Sequence, residues 1–365
     1  MRVEGFIQSY LRQYQPYKPY WNYEDGCVLM GCRQLYEATG DPLYRQFILK
    51  YLDPRVAEDG AIVHFLTEEY NTDDLNVSKL LFFAYEETGE ERFRKALDFS
   101  AGRLEKHPRC RCGSFWHKTI YPHQIWLDGL YMVQPFYMEY DTKFGNKAHY
   151  RDIGNQFENV RTFLFDKEKQ LAYHGYDESR VQPWADPITG RSKHFWLRSL
   201  GWYAMALVDT ISACDPRICG VYAGLQKDLN LLIKGILRCQ DEASGLFFQV
   251  VDHPEAEGNY LETSGSAMIA YSLIKGCRIG ILSEERYLER GKRIVEELIA
   301  RKLVTENGEW HVTDICSVAG LGPGERRDGS IAYYLSEKIV SDDPKGVGPF
   351  FMAYAQYQMA ESKPL

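Results

Sequence analysis

Glu37-Ala38-Thr39-Gly40-Asp41-Pro42-Leu43-Tyr44 and Glu86-Glu87-Thr88-Gly89-Glu90-Glu91-Arg92-Phe93 are two copies of one turn. In each, a helix stops at a glycine, the residue that accepts left-handed backbone at a helix C-terminus. A polar starter follows, then an aromatic one turn into the next helix. Looser copies fall at Phe144-Gly145-Asn146 with Tyr150, at Cys219-Gly220-Val221-Tyr222, and at Ile279-Gly280-Ile281 with Tyr287. The glycines stand 49 to 75 residues apart, the length of a helical hairpin plus a loop, and six such units fit a chain of 365 residues.

The two helices of a hairpin read differently. In Arg286 to Ile299, Leu288, Val295, Leu298 and Ile299 form one apolar stripe on a charged helix, the pattern of an outer helix with one face in solvent. Ile125 to Met138 is apolar nearly all round, the pattern of a helix enclosed on every side. Short aromatic segments separate an outer helix from the next inner one: Asp59 to Val63, Ser114 to Trp116, Leu171 to His174, Gly245 to Phe248 and Gly308 to His311. They pair only as brief strands, and closing six hairpins into a ring gathers them at one mouth. The expected fold is therefore all-α, an (α/α)6 barrel with short strands in the mouth loops, formed as one domain over residues 1–365. An open helical solenoid is the alternative.

Composition bounds the function. A net charge of −8 with 43 Lys and Arg scattered among 51 acids argues against nucleic acid, which needs a basic stripe. An anionic ligand needs a locally basic pocket. No apolar run reaches membrane-spanning length, and the polar start Met1 to Phe6 does not read as a secretory signal, so a cytoplasmic location is expected. Nine cysteines, an odd number spread through helices, suit reduced thiols. Cys110-Arg111-Cys112 has no second ligand pair at zinc spacing, and the nine histidines show no helical ligand spacing, so no metal and no cofactor is expected. Gly320 to Gly324 lacks the Lys-Ser/Thr of a phosphate loop and reads as a flexible mouth loop.

Asp128 stands out, because an acid inside an apolar helix is costly to bury as an anion unless it is paired or protonated. Gly129 beside it leaves room for a ligand against the helix backbone. Asp73 and Asp74 precede an inner helix running Val77 to Tyr85, where one of them caps it or, alternatively, Asp73 faces the same cavity as Asp128. Like charges would then leave one of the two acids protonated and ready to donate. Cationic and aromatic groups cluster at Trp116-His117-Lys118, at His174, and in His194 to Trp202. There Arg198 offers a fork for a carboxylate, and Trp196 and Trp202 offer flat faces to a sugar ring.

Four runs occur in order: Trp21 to Gly26, Tyr70 to Asn76, Trp126 to Phe136 and Trp196 to Trp202. Together they resemble the unsaturated rhamnogalacturonyl hydrolases of glycoside hydrolase family 105. The resemblance spans Trp21 to Tyr357 and implies an (α/α)6 barrel without metal or cofactor. The implied substrate is a small oligosaccharide with a Δ4,5-unsaturated galacturonic acid at its non-reducing end. It implies Asp128 as general acid and base and Asp73 as second carboxylate, with Tyr23, His117, Lys118, His174, Trp196, Arg198 and Trp202 lining the sugar site. Two positions depart from the family pattern, Val77-Ser78-Lys79 for Gly-Lys or Gly-Arg, and His174-Gly175-Tyr176 for His-x-Trp, which leaves an unsaturated glucuronate open as the sugar.

The implied chemistry is hydration of a vinyl ether. Protonated Asp128 gives its proton to carbon four, then takes one from the water attacking carbon five, and the hemiketal opens to release the neighbouring sugar. The competing readings are an inverting hydrolase using Asp73 and Asp128, an epimerase using histidines, and a non-catalytic helical-repeat sugar-binding protein. Monomer and homodimer are equally compatible with the sequence.

Overall fold

The computed structural model describes residues 2–362; Met1 and positions 363–365 lie outside it. An inner layer is formed by α2 (Tyr23–Thr39), α4 (Asp74–Thr88), α6 (Leu127–Lys143), α8 (Leu197–Ala213), α10 (Thr263–Arg278) and α13 (Pro344–Glu361). Each packs on the next, and α13 packs back on α2, so the ring is closed. That contact excludes the open solenoid. The outer layer is α1 (Arg2–Gln13), α3 (Pro42–Leu52), α5 (Glu91–Lys106), α7 (Tyr150–Asn159), α9 (Cys219–Leu237) and α11 (Glu284–Arg301), while α12 (Ile331–Ser336) is a short helix in the last loop. Phe6 of α1 meets Phe350 and Phe351 of α13 at ring separations of 6.4 and 6.0 Å, so the first helix completes the sixth hairpin. The architecture is an (α/α)6 barrel.

The two turn copies are alike in atomic detail. Gly40 and Gly89 both have φ of 69°, and each donates its N–H to the carbonyl four residues back, Tyr36 and Tyr85. Thr39 and Thr88 each accept from the N–H two residues on at 3.2 Å. Asp41 then caps α3 by accepting from Leu43 N–H at 2.9 Å, with Pro42 at the first helical position. The looser copy at Cys219 to Tyr222 does not hold, because Gly220 lies inside the first turn of α9 and the chain reverses earlier, at Asp215 to Ile218.

Inner helices are enclosed as their composition requires: every residue of α8 from Leu197 to Ile211 is buried. On α11 the buried stripe is Tyr287, Gly291, Ile294, Val295 and Leu298, while Leu288 and Ile299 sit at its half-buried margin. The mouth loops carry four antiparallel pairs: β1 (Gln124–Trp126) with β4 (Gly175–Asp177), β2 (Phe165–Asp166) with β3 (Leu171–Ala172), β5 (Leu303–Glu306) with β6 (Glu309–Val312), and β7 (Ile315–Cys316) with β8 (Ile339–Val340). The segments around Ile62, Phe115 and Phe248 make only single bridges. Chain entry from these loops places the first turn of every inner helix at the mouth. Among the described residues no helix is long and apolar enough to cross a membrane, and the nine cysteines are free thiols.

Candidate active site

Residues from four of the six inner-helix N-termini carry the candidate chemistry. Tyr23 opens α2, Asp73 and Asp74 straddle the start of α4, Asp128 is the second residue of α6, and Arg198 is the second of α8. Tyr23, Asp73, Asp74, His117, Lys118 and Asp128 line one cavity of about 350 Å³, within the roughly 300–1,000 Å³ usual for small-molecule sites. Hollows of about 730 Å³ beside Cys239 and about 590 Å³ beside Trp310 are larger; the first also gathers carboxylates and cations, but none of these residues is buried as a whole, whereas Asp73, Asp74 and His117 are.

The β1 and β4 ladder sets the central pair. Trp126 is paired with Gly175, and Leu127 N–H donates to the His174 carbonyl at 3.1 Å, which brings the following Asp128 and the preceding His174 side by side. Asp128 Oδ2 and His174 Nε2 lie 3.3 Å apart. They are off the line of a hydrogen bond, and both atoms are buried without another partner, so both keep their bonding capacity for a ligand. On its other side His174 Nδ1 is 2.9 Å from the Tyr334 hydroxyl. Burial holds the Tyr334 phenol well above its ordinary range, so it keeps its proton; donated to Nδ1, that proton would leave the imidazole hydrogen on Nε2, facing Asp128.

In that arrangement Tyr334 would act as a positioning residue that selects the His174 tautomer. It stands 160 positions from its partner, and no spacing in the sequence marks it. A hydrogen bond of this kind contributes about 1 to 1.5 kcal/mol, or about tenfold in rate. Tyr334→Phe is expected to lower kcat by that factor with KM little changed and to reshape the pH profile; an unchanged profile and kcat would show the contact to be packing only.

His117 is pinned from two sides. Thr72 Oγ1 lies 2.9 Å from His117 Nδ1, and the Trp126 ring stacks on the imidazole at 4.5 Å. Burial pushes the imidazole down to about 4, so it is neutral at physiological pH and adds no cation to the site. Gly129 serves this packing: a Cβ there would meet His117 Nδ1 at 3.2 Å and Thr72 Oγ1 at 3.4 Å, so the missing side chain admits a protein loop, not a ligand.

Asp73 does not cap α4. The helix starts at Asp74, earlier than the sequence pattern suggested, and the Asp73 side chain makes no cap hydrogen bond. It accepts instead from Lys118 Nζ at 2.5 Å. Burial alone would raise this carboxyl, but the Lys118 ammonium outweighs it and holds Asp73 below the usual carboxylate range. Like-charge repulsion therefore does not leave Asp73 protonated.

The raised carboxyl in the cavity is Asp74, which burial, reinforced by the Asp73 charge, pushes up from 3.8 to about 8, and its Oδ2 is buried without a partner. The folded chain holds a proton here that the unfolded chain releases near pH 4. This contribution to stability is complete below that pH and is lost as pH rises to about 8. Asn does not titrate, so the urea midpoint of Asp74→Asn is expected to gain on that of the wild type between pH 4 and 8 and to level off above. A difference independent of pH would show the native carboxyl to be charged in the fold.

Three residues expected at the sugar site lie behind the cavity wall. Trp202 is 2% exposed and stacks on Tyr131 at 4.8 Å in the barrel core. Trp196 donates to Gln249 Oε1 at 3.1 Å and stacks on Tyr334. Arg198 is fully buried; its Nη2 donates to the Cys316 carbonyl while Nη1 has no partner. Tyr176, which stands where the family pattern has Trp, stacks on Phe163 at 5.0 Å and does not line the cavity. The glycine-rich segment is packed against the mouth, with Leu321 fully buried and Gly320 N–H donating to the Tyr333 hydroxyl at 2.9 Å. Val318, Ala319, Gly320 and Arg327 join the cavity lining, unmarked in the sequence.

The sequence model of Glycosyl Hydrolase Family 88 matches residues 4–361. The chain is similar to a solved glycoside hydrolase of family 105 from C. acetobutylicum, with 44% identity, 98% of each chain covered and a TM-score of 0.91. It is similar to Protein Atu3128 of Agrobacterium fabrum, 42% identical over 62% of this chain and 97% of that one. It is also similar to the unsaturated rhamnogalacturonyl hydrolase YesR of Bacillus subtilis, 26% identical over 71% of this chain and 72% of that one.

Proposed function

The chain belongs to the glycoside hydrolases of families 88 and 105, and from that premise we propose that it releases Δ4,5-unsaturated galacturonic acid from the non-reducing end of rhamnogalacturonan oligosaccharides. The observation that carries the chemistry is the placement of Asp128. Its side chain lines the cavity and is 15% exposed, with the unpartnered Oδ2 buried against His174. Asp128 in its acid form protonates carbon four of the vinyl ether; positive charge develops at carbon five and the ring oxygen. As carboxylate it then takes a proton from the water attacking carbon five, and the hemiketal opens with loss of the neighbouring sugar. His174, with Nε2 3.3 Å from Asp128 Oδ2, stands beside the carboxylate through both steps.

An acidic protein draws an anionic sugar here because the inner helices all present their N-termini to the mouth, each equivalent to about half a positive charge. Arg327 adds a full charge at the lining, Lys118 is there paired with Asp73, and Arg198 holds an unpartnered Nη1 behind the wall. Leu66, Ile120 and Val318, 45%, 64% and 37% exposed, give the cavity an apolar rim. That rim matches the methyl edge of a departing rhamnose better than a fully hydroxylated sugar, and together with the likeness to YesR it favours rhamnogalacturonan over a glucuronyl substrate.

The test follows loss of the ultraviolet absorbance of the unsaturated uronate, using unsaturated galacturonyl-rhamnose, an unsaturated glucuronyl disaccharide and a saturated control. The expected order in kcat/KM is galacturonyl-rhamnose first, with the saturated compound inert and deuterium from heavy water appearing at carbon four. Absence of decay with every unsaturated substrate, or cleavage of the saturated one, would sink the hydration reading; preference for the glucuronyl compound would overturn only the sugar assignment.

A further inference from the structure

A second group of ligating side chains stands apart from the catalytic cavity. Antiparallel pairing of Trp196 with Val250, backed by Val251 N–H donating to the Phe195 carbonyl at 3.1 Å, locks the loop after α9 against the segment leading into α8. Continued by two residues, that register sets His194 opposite Asp252. A tight turn then swings His253 back beside them, with its N–H on the Val250 carbonyl at 3.3 Å. Asn259 pins the turn by donating to the Val250 and His253 carbonyls at 2.9 and 2.8 Å. One ligand atom from each of His194, Asp252 and His253 lies within 4.8 Å of the other two.

The carboxylate at the centre is incompletely bonded. The Asp252 side chain is 9% exposed, and its Oδ2 accepts from Lys169 Nζ at 2.6 Å. Its Oδ1 is buried with no hydrogen-bond partner, a cost that ligation would remove. The rings of His194 and His253 meet edge to face at 5.2 Å, and His253 Nε2 is 3.7 Å from Asp252 Oδ2. A tetrahedral zinc ion with bonds of about 2.0 to 2.1 Å needs donors roughly 3.3 Å apart. Closing that gap takes a small shift of the His253 side chain, which is 33% exposed and whose Nδ1 lies 3.2 Å from Glu255 Oε1.

We propose that His194, Asp252 and His253 form a site for a zinc-class divalent transition-metal ion, completed by water, that clamps the loop after α9 to the segment leading into α8. Two imidazoles and one carboxylate suit zinc, cobalt or nickel and not the hard cations calcium and magnesium. The clamp would act on structure, since the segment it fastens runs into Trp196 and Arg198 behind the catalytic cavity. The sequence conceals the site because its ligands come from opposite strands of a ladder formed only in the fold.

The test uses the full chain, stripped with chelator and titrated with Zn2+ by calorimetry and with Co2+ by absorption spectroscopy. One ion per chain is expected, with a rise in Tm. The Co2+ spectrum should lack a sulfur-to-metal charge-transfer band, which separates this site from the Cys110 and Cys112 thiols. His194→Ala and His253→Ala should each weaken binding by roughly tenfold or more. Lys169→Met should tighten it, because the competing ammonium is gone, whereas a purely structural Lys169 to Asp252 ion pair predicts no gain in metal affinity. Absence of saturable binding, equal binding in the His194→Ala/His253→Ala double variant, a thiolate band, or no tightening in Lys169→Met would each overturn the assignment.

Discussion

Asp128→Asn is expected to fold with the Tm of the wild type and to lose about three orders of magnitude in kcat, within the range that a single proton-transfer group contributes. The side chain is 15% exposed, and its inward oxygen makes no hydrogen bond that the amide would break. Asparagine keeps the shape and removes the proton. Because one carboxyl acts first as acid and then as base, no added nucleophile should rescue the variant, in contrast to a retaining glycosidase whose acid alone is lost. Circular dichroism and absorbance decay on the same preparation check the result; a variant with more than a tenth of wild-type kcat would remove Asp128 from the mechanism.

The second large effect is one of stability. Trp202→Ala is expected to cost about 3 to 5 kcal/mol, because the indole, carried by α8, packs on Tyr131 of α6 in the barrel core and its loss leaves a void. Trp202→Phe should recover most of the loss, with KM unchanged in the folded protein. Urea unfolding and steady-state kinetics separate this from a sugar platform, which would show near-normal stability and a KM raised tenfold or more.

Trp202 also marks where reading a sequence stops. Features set by a few adjacent residues were legible: the Thr-Gly turns at Gly40 and Gly89 have the geometry their spacing demanded, and the all-round apolar run before Met138 is an enclosed helix. The ring followed from counting such units. What a one-dimensional pattern lacks is depth and distant pairing. Trp196 and Trp202 look alike in the chain, yet both turn away from the cavity. The charge state of Asp73 depends on Lys118, 45 residues away. Of the two roles the sequence left open for Asp73, helix cap or cavity carboxylate, the structure shows the second, and a full charge at 2.5 Å binds a carboxylate more strongly than a backbone N–H does. Gly220 matched the turn spacing but not its chemistry, since no left-handed residue is needed inside α9.

The seam of the barrel sets the order in which the protein becomes whole. The α13 helix (Pro344–Glu361) is both the last wall between α10 and α2 and the surface that α1 covers. During synthesis α1 emerges before the other helices of the ring and waits for a partner made after them, its Phe6 and Ile7 exposed meanwhile. The five earlier hairpins can stack as they appear, but the ring closes only when α13 joins α10 to α2. A nascent or truncated chain without α13 is an open arc with exposed apolar faces. The same adjacency of α1 and α13 means that the seam can be moved: a permuted chain that joins them by a short linker and opens at the exposed loop around Gly258 should close the same ring in a different order.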